Sequence, residues 1–439
     1  MKDVCTIQIF DRGHWLDVGI VDMVGGDSTG WRARTLAGYD LNWALEHMDA
    51  RDAHAFSCQY PVRVENFKQD HWPVFLIDIL PQGYGRAELL RRLALPEAAA
   101  ESADWSLLLH GSGNPIGNMR IKEAAEWLSQ QTNERHGFQD AEVSSRGDEF
   151  TEYLVQHGLF VAGSSGVQGE WPKLLMTRAV DGLLYLDHTL PDNEAQAHYI
   201  IKFGRGNNAR LEQILQHEPV YMTIAHQLGL HVHADLSLRG RALFIPRFDR
   251  KVENGGVTRF AQESVASLTG MAGFGVTPSH DEVCRQIMLR CSKPQEEILE
   301  YIRRDIANLA FGNKDNHARN TALRRDYDGF VGLTPVYDFA PMYLHPDGIA
   351  RRIRWKDNDN SQPEWAKVLD TVCAIADECG IALDRPFLKD GLRAMAPKLH
   401  EVSLQWQSLG IASDVYEFLK PGIARLTKEL DEVNGGFNE

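Results

Sequence analysis

Asn313-Lys314-Asp315-Asn316-His317-Ala318-Arg319-Asn320, followed by Pro335-Val336-Tyr337-Asp338-Phe339, is the stretch on which the reading of this chain turns. Asn320 lies five residues after Asp315, and Asp338 lies eighteen after Asn320. One short segment therefore carries two carboxylates and an amide. A loop aspartate such as Asp315 can accept or orient a hydroxyl proton. An Asn–Asp pair such as Asn320 and Asp338 offers hard oxygen ligands of the kind Mg²⁺ prefers. His317 sits two residues from Asp315, but no second histidine stands at ligand spacing to it. It reads as loop support through hydrogen bonds. Taken alone, Asp-x₄-Asn is common polar loop composition, so the surroundings decide its meaning.

Upstream, Ile298, Ile302, Ile306 and Leu309 recur at helical spacing. That helix should stop at Gly312 and deliver the loop. Gly329 to Leu333 reads as a strand returning toward Asp338. Further upstream, Gly163-Ser164-Ser165-Gly166-Val167-Gln168-Gly169 is glycine-rich enough for backbone N–H groups to approach a phosphate. It lacks the Gly-Lys-Ser/Thr ending of a Walker loop. Lys202 lies in an apolar strand, where it needs an anion or a route to solvent. An outward-pointing edge-strand lysine reads equally well. Glu218 opens what reads as a helix with Pro219 at its first position, where a carboxylate is favourable in any case. A Lys202–Glu218 ion pair is the functional alternative. Ile245-Pro246-Arg247-Phe248-Asp249-Arg250 closes the β-rich part. Its backbone suits hydrogen bonding to a nucleobase with Asp249 near the sugar, and a surface Asp–Arg pair on a connecting strand suits it as well.

The flanks are ordinary globular sequence. Thr6–Phe10 and Trp15–Val21 read as strands about an Asp11–His14 turn. His231–Asp235 reads as a strand. Gln130–Gly147, polar and poor in large aliphatics, reads as a connector, with a boundary at 140–150. Beyond 360 the pattern is helical. Trp15, Trp31, Trp43, Trp72, Trp105 and Trp127 crowd the first third and read as core or interface material. Net charge is −15, from 46 basic and 61 acidic residues. That balance argues against a chain-wide grip on nucleic acid. Arg351, Arg352, Arg354 and Lys356 form a local basic cluster, read as a solvated strand face. The six cysteines fit no zinc template and read as reduced thiols. Without a signal-peptide pattern or a membrane-length apolar run, the expected location is the cytoplasm.

The order of glycine loop, strand lysine, helix glutamate, Asp, Asn, Asp is that of phosphoryl-transfer enzymes of the protein-kinase type. More specifically, the chain resembles the HipA family of serine/threonine kinases, the toxins of HipA–HipB toxin–antitoxin systems. The resemblance rests on Ile79-Leu80-Pro81-Gln82-Gly83, Gly113-Asn114-Pro115-Ile116-Gly117-Asn118, Ser165-Gly166-Val167-Gln168 with Pro172-Lys173, Ile201-Lys202-Phe203, Pro246-Arg247-Phe248-Asp249-Arg250, Asn313–Asn320 and Tyr337-Asp338-Phe339. It implies Asp315 as catalytic base, Asn320 and Asp338 as Mg²⁺ ligands, and ATP contacts from Ser165, Gly166, Val167, Gln168, Lys202, Asn320 and a hinge comprising Ile245, Arg247, Phe248 and Asp249. Glu218 and His317 are implied as support. Ser165, or Ser164 as second choice, is implied as the autophosphorylated serine, where an added dianion would displace the loop. A HipB-like DNA-binding antitoxin and a protein substrate, in some members an aminoacyl-tRNA synthetase, are the implied partners, with DNA only through that complex. Gly169-Glu170-Trp171 interrupts the usual run from Gln to Pro-Lys.

The expected architecture is α+β: a two-lobed, protein-kinase-like (HipA-like) fold. It comprises a β-rich N-terminal accessory subdomain with connector (1–145), a β-rich nucleotide-binding lobe (146–255) and an all-helical C-terminal lobe (256–439). Two other readings stay open: a kinase-like, antitoxin-binding repressor component with little catalysis, and a small-molecule phosphotransferase.

Overall fold

The computed structural model describes residues 3–24, 29–95, 103–131, 135–157, 171–204, 206–358 and 362–433. The chain divides into two compact units. The first comprises Met1–Gly206, Ser237–Phe274 and Arg324–Phe330; the second comprises Asn207–Leu236, Gly275–Leu323 and Val331–Glu439.

The first unit contains two antiparallel five-stranded sheets. One runs in the order Phe67–Gln69, Arg34–Tyr39, His14–Val24, Val4–Asp11, Met119–Ile121. Its long hairpin turns at Arg12 and Gly13, both with positive φ, where glycine carries no steric penalty. Trp72 and Trp105 are fully buried and meet edge to face at 5.2 Å, while Trp43 is nearly buried and Trp31 and Trp127 pack against the same core. The apolar run Val74–Leu80 forms a helix, Val74–Ile79, buried along most of its length.

The second sheet has the order Leu184–Leu186, Lys173–Ala179, Ala195–Phe203, Ala242–Pro246, Ser237–Arg239. Its core draws on Leu174, Met176, Ile201, Phe203 and Phe244 together with Phe138, Phe150 and Leu154. The two cores part between Ala124 and Leu128, upstream of the expected boundary at 140–150. The stretch read as a connector is in fact anchored. Phe138 is fully buried and exchanges backbone hydrogen bonds with Leu184, and Asp140 holds Arg178 at 2.8 Å. One aromatic in a polar segment is enough to pin it. His231–Asp235 is irregular; the strand beside it is Ser237–Arg239.

The second unit is mainly helical. Its first helix is Ala209–Leu228, capped by the Asn208 side chain and ended by left-handed Gly229. It begins nine residues before the expected start at Glu218, and Pro219 lies in its interior. The proline misled the reading because it is equally at home at a helix start, and here tertiary packing outweighs its usual cost. Further helices are His280–Arg290, Pro294–Ala310, Trp365–Cys379, Arg385–Arg393, Met395–Leu404 and Ser413–Asp431. Ile298, Ile302 and Ile306 are fully buried in Pro294–Ala310, while Leu309 lies at the margin. Gly312 (φ +63°) ends the approach to the loop, and a Cβ there would sit 2.7 Å from Tyr343 Cδ1. Among the described residues no helix is long and apolar enough to cross a membrane, and all six cysteines are free thiols.

Candidate functional site

The Asn313–Asn320 loop is built by its own polar side chains. Asn313 is buried; its backbone N–H donates to Asn308 O at 2.9 Å and its Nδ2 donates to Asn308 Oδ1 at 2.9 Å. Asn313 Oδ1 in turn accepts from the Asp315 N–H at 3.4 Å, a turn closed by an Asn side chain. Asn320 Nδ2 donates to Asp315 O at 2.7 Å, and its N–H donates to His317 O at 2.9 Å. The amide nitrogen is thereby committed, and Oδ1 is the atom of Asn320 left for a cation. Arg304 supports the following segment by donating to Thr334 O at 2.7 Å, and Tyr337 Oη donates to Arg319 O at 2.8 Å.

His317 Nδ1 accepts from the Arg319 N–H at 3.2 Å. That places the proton of a neutral ring on Nε2, which faces Asp315 Oδ1 at 3.8 Å. Burial pushes the His317 pKa below its ordinary value, and the nearby Asp315 and Asp338 carboxylates oppose that shift. Asp338 has φ +54°. Left-handed backbone is uncommon for a residue with a Cβ, although Asp and Asn tolerate it best, and such outliers cluster at functional sites. A cavity of about 40 Å³ behind the loop, lined by Asn308, Asn313, Asp315, Asn320 and Tyr337, has the size of one or two waters.

No group of three or more His, Cys, Asp and Glu side chains disposed to hold a metal occurs among the described residues. An all-protein cage is not what Mg²⁺ needs, since it keeps waters and takes the remaining oxygens from phosphates. Asn320 Oδ1 with the Asp338 carboxylate fits that requirement.

In the first unit, Lys202 is 4 % exposed. It lies in an inner strand, opposite Lys173 on one side and Leu243 on the other. It is not the outward-pointing edge lysine that the sequence allowed. Its Nζ stands 5.3 Å over the Trp171 ring, so the tryptophan of the interrupting Gly-Glu-Trp packs beside this lysine. Ser164, Ser165, Gly166, Val167 and Gln168 lie outside the described residues. Glu218, in helix Ala209–Leu228 of the second unit, is buried.

Arg247 and Asp249 carry a buried network. Asp249 accepts from Arg247 Nε at 2.9 Å and Nη2 at 2.7 Å, from Arg250 Nη1 at 2.7 Å, and from the Gly117 N–H at 2.8 Å. Arg250 Nη1 also donates to Gly117 O at 2.7 Å. Arg247 Nη1 reaches Asp187 at 3.1 Å. Asp187 further accepts from Asn114 Nδ2, from Thr177 Oγ1 and from His198 Nδ1. Burial would raise both carboxyl pKa values, but the arginines dominate and hold them well below the ordinary range. The charged groups of Arg247 and Asp249 thus tie the Asn114–Gly117 turn to the end of strand Ala242–Pro246. The surface Asp–Arg pair that the sequence also allowed is absent from this motif. Any share of these two residues in nucleotide binding runs through the backbone they position, beside the half-buried Ile245 and Phe248. Asn316, unremarked in the sequence reading, is a further organiser. It is buried, donates from Nδ2 to Ile353 O at 2.9 Å, and accepts on Oδ1 from Arg352 N at 2.7 Å and Ile353 N at 3.3 Å. Nothing local in Asp-Asn-His announces that role, because its partners lie over thirty residues away.

Comparison with known proteins gives consistent results. The sequence model of the family described as "HipA-like C-terminal domain" matches residues 165–402. The Sinorhizobium fredii protein named "Putative kinase Y4mE" is 26 % identical over 328 residues, 70 % of this chain and 74 % of that protein. Among solved structures, the HipA chain of the Shewanella oneidensis toxin–antitoxin complex of HipA, HipB and operator DNA superimposes with a TM-score of 0.66 at 18 % identity, covering 99 % of this chain and 100 % of that one. At that identity the likeness shows a shared α+β fold. The Helicobacter pylori proinflammatory kinase CtkA aligns at a TM-score of only 0.34 and 15 % identity, over 54 % of this chain and 89 % of that one, which carries no argument.

Proposed function

The chain belongs to the family of HipA-like kinases, and from that premise we propose that it is an ATP- and Mg²⁺-dependent protein serine/threonine kinase. The observation that carries this reading is the loop in which Asn313 Oδ1 receives the Asp315 N–H and the Asn320 amide is oriented by Asp315 O, followed by Asp338 on left-handed backbone. Asp315 is assigned the substrate hydroxyl, whose proton it orients and accepts. Asn320 Oδ1 and the Asp338 carboxylate are assigned the cation. Bound Mg²⁺ would supply neutralisation of the phosphate charge. His317 holds the loop by accepting the Arg319 N–H, and burial lowers its pKa. Lys202 is assigned the ATP phosphates with Glu218 in support, Ile245 to Phe248 the adenine edge through their backbone, and Ser165 to Gln168 the phosphate loop. Catalysis on this reading is mostly positioning.

The likeness to a HipA that forms a complex with HipB and operator DNA supports a further reading. The kinase would be a growth-inhibiting toxin acting on a serine of a protein target, restrained by a HipB-like antitoxin. Ser165, or Ser164, would be its autophosphorylation site. Thermal unfolding with ATP, with and without Mg²⁺, tests the premise. A native state that binds the pair gains stability as ligand concentration rises. The reading predicts an Mg²⁺-dependent rise in Tm that AMP does not reproduce. No rise at saturating nucleotide refutes it. Mass spectrometry after incubation with ATP then reports on the serine, and phosphate unchanged in a Ser165→Ala, Ser164→Ala chain rejects both sites.

A further inference from the structure

The basic cluster Arg351–Lys356, left over from the sequence reading, is not a solvated strand face. It belongs to no sheet, its burial alternates residue by residue from Arg352 to Lys356, and it is clamped from below at nearly every residue. Arg351 Nη2 donates to both oxygens of Asp305, at 2.8 and 2.9 Å. Trp355 Nε1 donates to Asp305 Oδ2 at 3.1 Å, and its ring stacks on His280 at 4.8 Å. Asp305 is 2 % exposed. The Asn316 amide grips Arg352 N, Ile353 N and Ile353 O. The His280 N–H donates to Arg354 O at 2.9 Å, and the Lys356 N–H donates to Asp281 at 3.0 Å. Ile353 and Trp355 are both 3 % exposed.

The consequence is strict alternation. Ile353 and Trp355 point inward, while Arg352, Arg354 and Lys356 are exposed. Three cations thus stand at every second position, about 7 Å apart along the segment, on a protein whose net charge is −15. Among the described residues neither Arg352 nor Arg354 has an acidic partner. The Lys356 ammonium pairs with Glu282 at 3.5 Å, both side chains being partly exposed. The segment is coupled to the catalytic loop, because Asn316 adjoins Asp315.

We propose that Arg352, Arg354 and Lys356 form a docking strip for the protein substrate, selecting an extended acidic segment with carboxylates at alternate positions beside the phosphoacceptor. An extended peptide repeats its side chains on one face at the same interval, so its register matches the strip residue for residue. The backbone clamp supplies preorganisation, which lowers the ordering cost of binding. Place also favours a peptide over nucleic acid: the strip is held by Asn316, the neighbour in sequence of the residue assigned to the substrate hydroxyl. This inference rests on the kinase reading above and specifies its substrate class.

The test uses the full chain and fluorescein-labelled peptides with one serine, flanked by Glu, Gln or Lys at alternate positions. Anisotropy on the Asp315→Asn chain with Mg²⁺ and ATP reads binding without turnover. The Glu peptide should bind about threefold to a hundredfold more tightly than the Gln peptide, since each of three exposed ion pairs contributes about 1.4- to 5-fold. The advantage should fall with salt. R354E should abolish it and favour the Lys peptide, while its ATP-induced Tm shift stays that of the wild type. Equal binding of Glu and Gln peptides by a chain that shows the ATP shift overturns the docking strip and leaves the kinase standing. An R354E-sensitive grip on duplex DNA without any on the Glu peptide overturns it in favour of nucleic acid. Loss of the ATP shift in the wild type removes the kinase reading, and the strip falls with it.

Discussion

Replacing Asp249 by alanine separates two roles that the sequence left open, nucleotide contact and internal clamp. The carboxylate is 3 % exposed and receives four donors: three from Arg247 and Arg250, and one from the Gly117 backbone. Removing it takes a carboxylate from two buried guanidinium groups, while Asp187 stays paired with Arg247 at 3.1 Å. Breaking a buried ion pair by deleting one partner costs about 3–5 kcal/mol. The effect is local to one part of the first unit, so a readout resolved along the chain reports it more directly than an unfolding midpoint does. Hydrogen exchange resolves the effect where it should fall. Amides at 116–121, 243–245 and 247–250 should exchange roughly two to four decades faster in Asp249→Ala, at about 1.4 kcal/mol per decade. Those of helix Trp365–Cys379 should be unchanged. Asp249→Asn should lie between wild type and alanine, since one amide oxygen can replace Oδ2, which takes three of the four donors. Unchanged exchange at 116–121, accompanied by a raised KM for ATP, would refute the clamp and return Asp249 to the nucleotide.

Three further outcomes follow from the same geometry. Asp187, Asp249 and Asp305 all have pKa values held below the ordinary 3.8; the unfolded chain therefore binds protons first on acidification. Stability should be flat with respect to these groups above about pH 5 and fall progressively below pH 4, and a urea midpoint that rises with acid contradicts it. Asn316→Asp sets a carboxylate oxygen against Ile353 O in place of a donor, so it should cost about 1–3 kcal/mol and speed exchange across 351–355; wild-type exchange there would argue against the Asn316 clamp. Asp338→Gly and Asp338→Ala lose the same carboxylate, but only alanine strains a left-handed backbone, so glycine should be the more stable by about 1 kcal/mol in thermal unfolding. Equal stability would indicate that φ at this position differs from +54°.

What the sequence revealed was whatever its local pattern could carry. The helix through Ile298, Ile302 and Ile306 was legible because three residues repeat one turn apart. The stop at Gly312 was legible because only glycine sits easily there. The order of Lys202, the Arg247–Asp249 motif, the Asn313–Asn320 loop and Asp338 was legible, and with it the family. What stayed hidden depends on partners far along the chain. Phe138 looked like part of a polar connector until Leu184 met it. Pro219 looked like a helix start because nothing nearby shows that packing tolerates it in the interior. Asn316 looked like loop composition until Arg352 and Ile353 met its amide. The burial of Asp249 is likewise invisible without Gly117, more than a hundred residues upstream.

Transfer of the γ-phosphate from ATP, compared between the wild-type chain and Asp315→Asn, tests the central claim most directly. The wild type should incorporate phosphate into protein in an Mg²⁺-dependent way. Asp315→Asn should lose about 10²–10⁴-fold, the usual share of a positioned base, with the ATP-induced Tm shift retained. Transfer at the wild-type rate by Asp315→Asn would contradict the claim.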